Sequence, residues 1–152
     1  LNVQHEYAAT PEKARSLRMW TRAFETVRSK YPAVWSVLER SLRILHLEVR
    51  PMDSADASWG SYLTLNLKDT ARPYTGTLVH EVGHMFEDHQ PDEFEIGSGR
   101  ALYGNAPFSH TYFQDRPVED FAECFRQFFT EPGALRRAAP TKYEDMRSRL
   151  GL

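Results

Sequence analysis

One cysteine, Cys124, occurs in 152 residues. That excludes an internal disulfide, and a lone thiol of this kind reads as a small core side chain. No apolar run reaches the roughly 18 residues that a membrane-spanning helix needs. An excess of one charge is also missing. The chain carries 19 Lys and Arg against 21 Asp and Glu, for a formal net charge of −2, which argues against nucleic acid as the main partner. It has no N-x-S/T acceptor, no internal repeat and no low-complexity tract. It opens on Leu1 instead of Met, so it reads as a mature form, a fragment or a trimmed chain from which a targeting signal could have been cut.

What the sequence does have is ordinary globular material, 41% hydrophobic and 26% charged. At this length the expectation is one domain over residues 1–152, with an N-terminal subregion of about 1–89, a C-terminal subregion of about 90–152, and a real core. Residues 1–9 give no clear signal. Thr10-Pro11-Glu12 opens a helix: Thr caps, Pro takes the first position and Glu suits the positive end. Leu17, Trp20, Phe24 and Val27 then recur at helical spacing to about Ser29. Tyr31-Pro32 breaks that helix and starts another, with Val34, Val37, Leu38, Ser41 and Leu42 inward. Ile44 to Val49 reads as a strand ended by Pro51, with His46 half-exposed on it. Trp59 to Leu67 alternates and reads as one further strand. The expected class is α+β, with a small mixed sheet between N-terminal helices and a C-terminal helical part.

The chemistry concentrates in His80-Glu81-Val82-Gly83-His84, an H-E-x-x-H string. Helix positions i and i+4 share a face, so both imidazoles can address one point, a good pair of donors for an ion such as zinc. Glu81 projects beside that point, where it can take a proton from water. Leu78, Val79, Val82 and Phe86 supply the apolar face, and Thr75 or Thr77 can cap the start. Gly83 is a poor helix former; close approach of another segment at that turn would explain it. By chance the string would arise in roughly 2% of chains of this composition, so a third ligand is needed. Position 90 is Gln and position 87 is Glu, which excludes the zincin pattern that has Gly and a third His there. Asp88 and His89 point increasingly away from the site. The stronger candidate lies in Pro117 to Thr130, a second helix with Phe121, Phe125, Phe128 and Phe129 as its apolar stripe. Glu119 and Glu123 stand four apart beside that stripe, where carboxylates are costly unless paired or metal-bound. Glu119 is the expected third ligand and Glu123 an outer partner orienting a ligating His.

His80-Glu-Val-Gly-His84 followed by Tyr112-x6-Glu119-Asp-Phe-Ala-Glu123 resembles the zincin peptidases of the anthrax lethal factor and Pro-Pro endopeptidase type. The resemblance covers about residues 59–130. It implies that His80, His84 and Glu119 bind one Zn2+, that Glu81 is the general base and that Tyr112 stabilises the transition state. Asp120 stands where members often have an aromatic or apolar residue. A zincin-like fold with an edge strand beside the cleft follows, with Trp59, Gly60, Ser61 and Tyr62 in a groove that pairs with an extended peptide. His110 is a further candidate donor to substrate. Tyr112 is preferred, since its offset from Glu119 fits and a phenol donates without titrating. The implied activity is zinc-dependent endopeptidase cleavage of a peptide or protein substrate by a monomer, with a secreted or effector-like setting suggested by the resemblance alone. The alternatives are a catalytically silent zincin-like module that binds a peptide or protein, and a helical interaction domain with no metal.

The connection from 89 to 116 is long enough to be a wall or lid, with Gly97, Gly99 and Gly104 as pivots. Pro132-Gly133 should stop the second helix. Thr141-Lys-Tyr-Glu144 fits a capping box opening a final helix, with Met146 and Leu150 packing back.

Overall fold

The computed structural model describes residues 1–5, 10–51, 57–60, 64–68, 74–97, 102–108 and 113–152. Among them the chain forms an α+β arrangement of four strands and seven helices. It divides into two compact units, Leu1–Val82 and Gly83–Leu152. None of the described helices is long and apolar enough to cross a membrane.

The first unit begins with β1 (Asn2–His5), where the sequence offered no signal, and continues with α1 (Pro11–Lys30). The Thr10 side chain accepts from the Lys13 N–H at 3.2 Å, Pro11 takes the first turn, and Arg28 and Lys30 stand at the negative end. Tyr31 separates α1 from α2 (Pro32–Ser41). β2 (Ile44–Arg50) alternates as a half-buried strand should: Leu45, Leu47 and Val49 are buried while His46 is exposed. The single strand expected over 59–67 is two strands, β3 (Ala57–Gly60) and β4 (Thr64–Lys68). They pair antiparallel, with Gly60 opposite Thr64. Gly60, a residue depleted in strands, is the last residue of β3. The sheet order is β1-β2-β4-β3, with β1, β2 and β4 parallel, so it is open and mixed, and β3 lies at one margin. Trp20, fully buried, fastens α1 to the sheet by donating its indole N–H to the Lys68 carbonyl at 3.0 Å. Phe24, Val27, Val34, Val37 and Leu38 complete this core with the inward residues of β2 and with Leu67.

α3 (Thr75–Asp88) contains the boundary between the units, which falls between Val82 and Gly83. The second unit continues with α4 (Glu93–Gly97), a short helix inside the connection expected to be irregular. After it come α5 (Pro117–Thr130), α6 (Pro132–Ala138) and α7 (Pro140–Leu150). Pro132 and Gly133 therefore both end α5 and open α6. The capping box proposed at Thr141 is not formed: α7 starts two residues earlier than that box requires, Ala139 takes the cap position and no side chain caps it. Pro140, with its preset φ at the first position, outcompetes the hydroxyl signal. Met146 and Leu150 do pack inward.

The core of this unit is aromatic. Phe86 meets Phe125 at 5.4 Å and Phe121 at 6.2 Å between ring centroids, and Tyr103 meets Phe121 edge-on at 4.8 Å. Inside it lies a fully buried ion pair. Lys142 donates to Asp120 at 2.6 Å and to the Asn105 carbonyl at 2.7 Å, and the Gly104 N–H donates to the same Asp120 carboxylate at 2.9 Å. Arg149 binds Asp92 through both terminal nitrogens, at 2.6 and 2.8 Å, and Asp145 at 2.7 Å. Asp145 also accepts from the buried Tyr103 hydroxyl at 2.8 Å. α7 is thus tied by charge to α5 and to the segment before α4.

Candidate metal centre

α3 carries the H-E-x-x-H residues on a helix, as the i, i+4 spacing requires. Thr75 is its first residue, and neither proposed Thr flanks the start; the Tyr74 carbonyl does, accepting from the Thr77 and Leu78 N–H groups at 3.1 and 3.4 Å. Leu78, Val79, Val82, Met85 and Phe86 are buried, which holds the helix by its apolar face. His80, Glu81 and His84 each offer a ligand atom, and these atoms lie within 4.8 Å of one another. Glu81 is buried and the two histidines half-buried.

The glycine in the motif has a packing reason. A Cβ on Gly83 would sit 2.8 Å from the Ala122 Cα and 2.9 Å from its carbonyl oxygen. α5 therefore crosses α3 in backbone contact at this turn, which only small residues allow. That contact carries α5 past the next residue of α3, His84. The Glu119 carboxylate, one turn before Ala122, lies 3.6 Å from His84 Nε2. Two ligands bound to one tetrahedral zinc at about 2.0–2.1 Å stand about 3.3 Å apart. Glu119 is also accessible, its side chain 43% exposed.

Glu123, one turn further along α5, is gripped by Arg126, whose Nη2 and Nε donate to its two oxygens at 2.7 and 2.9 Å, and by Gln127 at 2.9 Å. His89 is exposed and places Nδ1 2.7 Å from the Met85 carbonyl. Tyr112, His110, Ser61 and Tyr62 lie outside the described residues. Trp59 and Gly60 lie on β3, and the Trp59 main-chain N–H donates a short hydrogen bond to Glu81 Oε2.

Glu87, named above only for the pattern it excludes, is buried on α3. Burial, followed by the charges of Asp88 and Glu93, pushes its carboxyl from about 4.5 up to about 7. A folded-state pKa above the unfolded one means that the native state keeps a proton the unfolded chain has lost. Stability from this group is then full below about 4.5 and is lost as pH rises to about 7, a difference of about 3 kcal/mol. Glu87→Gln is expected to raise unfolding free energy by up to that amount at about pH 8 and much less at about pH 5, read by urea denaturation. Equal gains at both pH values would show that Glu87 is not held neutral.

No protein-family model matches this chain, and no curated protein matches its sequence. The functional reading therefore rests on the site itself. Its donor set suits zinc: two imidazoles four residues apart on one helix, with carboxylates alongside.

Proposed function

We propose that this chain is a zinc-dependent endopeptidase of the zincin type, akin to the lethal factor and Pro-Pro endopeptidases. The observation that carries the reading is the clustering of His80, Glu81 and His84 donor atoms within 4.8 Å on a single helix. His80 and His84 would hold the ion, and Glu119, 3.6 Å from His84, would supply the third donor and leave one position open. Zinc, when bound, would lower the pKa of a water toward about 7 and polarise the scissile carbonyl. Glu81 would take a proton from the attacking water and deliver it to the leaving amine. By the resemblance, Tyr112 would donate to the oxyanion that develops at the carbonyl, a contribution of roughly 3 kcal/mol when such a donor is lost. An extended substrate lies along the β3 margin of the sheet.

The test is metal content of the purified protein, followed by digestion of a mixed peptide library with and without chelator. Stoichiometric zinc and chelator-sensitive cleavage are the expected results. Zinc without cleavage would make the chain a silent binding module, and no metal would leave an interaction domain. Glu119→Ala should weaken zinc binding by several orders of magnitude, since one of three protein ligands is gone. Parental zinc affinity in that variant would remove Glu119 from the ligand set.

A further inference from the structure

We propose that the main-chain N–H of Trp59 is a positioning group for Glu81, fixing the orientation of the carboxylate that takes the water's proton. The inference rests on the peptidase reading and adds to it a residue whose part is played by its backbone. In an antiparallel ladder, successive residues turn their N–H and C=O groups alternately toward the partner strand and away from it. Trp59 lies opposite Leu65 of β4. It gives its N–H to Glu81 Oε2, so its main-chain groups face away from β4, along the margin of the sheet. The neighbours Ser58 and Gly60, opposite Asn66 and Thr64, fall at the positions that face β4.

Glu81 needs such a partner. Its side chain is buried, and an ionised carboxylate in that setting is costly unless hydrogen-bonded. A main-chain donor in a sheet has no rotamer freedom, so it fixes the carboxylate plane more firmly than a flexible side chain would.

Three measurements test this. In amide NMR of the zinc-free protein, Glu81→Ala removes the acceptor; the Trp59 amide proton should move upfield and exchange faster. Trp59→Pro deletes the N–H at a strand margin, where proline is tolerated, and is compared with Trp59→Phe, which loses only the indole. An ester at position 59, made by incorporating indolelactic acid, keeps the indole, replaces the N–H by an oxygen and leaves the Ser58 carbonyl a weaker acceptor. Relative to its control, each variant lacking the N–H should bind zinc as before, with the loss falling on kcat more than on KM for a peptide cleaved from the library. Its kcat should fall roughly 10²-fold, the effect of misplacing a reacting group by about 1 Å. An ester with parental kcat, or a Trp59 resonance that ignores Glu81→Ala, overturns the proposal. A zinc-loaded parent that cleaves no library peptide overturns the hydrolase reading instead, while the resonance still reports whether the hydrogen bond exists.

Discussion

Glu81→Gln is expected to keep zinc bound and to lower kcat by about 10²–10⁴-fold, the usual contribution of a general acid–base group. The substitution is nearly isosteric. The amide oxygen can still accept from the Trp59 N–H, so the strand contact made by Glu81 in the parent survives. What is lost is the ability to take a proton. Zinc content by mass spectrometry and turnover of a quenched-fluorescent peptide, measured on the same preparation, separate the two effects. Turnover within a few-fold of the parent, with zinc present, would remove Glu81 from the mechanism.

Lys142→Met should be the most destabilising single change considered, at about 3–5 kcal/mol, the cost of leaving one member of a buried ion pair without its partner. Both side chains are fully buried. Burial pushes the Asp120 carboxyl above its usual range, against the pull of Lys142, the Gly104 N–H and Cys124. Without Lys142, the carboxyl must either stay charged in the core or take up a proton, so the loss should shrink toward acid pH. Asp120→Leu combined with Lys142→Met should recover much of the stability, because the stranded charge is gone. Recovery stops short of complete, since the Gly104 N–H loses its bond to Asp120. Urea denaturation of both single variants and the double variant gives the coupling energy. A Lys142→Met cost below about 1 kcal/mol, typical of an exposed pair, would contradict the burial.

Much of this was legible in the sequence because it depends on local periodicity. α1, α2, β2 and α5 follow directly from apolar spacing and proline placement. Gly83 pointed to a close crossing before any partner segment was known. The strand pair β3 and β4 was harder: alternation over 59–67 looks alike whether the run is one strand or two, and only Gly60 hinted at the division. β1 has four residues and gains its place through pairing with β2, forty-two residues further along, a non-local contact that no window of sequence contains. Lys142 did leave a signal that was missed. It stands four residues before Met146 and eight before Leu150, on the buried stripe of its own helix, and so called for an acidic partner. The Trp59 bond to Glu81 was invisible because a backbone amide has no letter in the sequence.

The bare meeting of Gly83 with Ala122 works like an indexing notch in a machine. A helix advances 1.5 Å per residue, whereas metal–ligand distances tolerate only about 0.2 Å. If α5 slipped along α3 by a single residue, the Glu119 oxygen would overshoot that tolerance several times over in the proposed zinc site. Two of the smallest side chains in the alphabet, seated against each other, thus set the reach of a carboxylate one turn away.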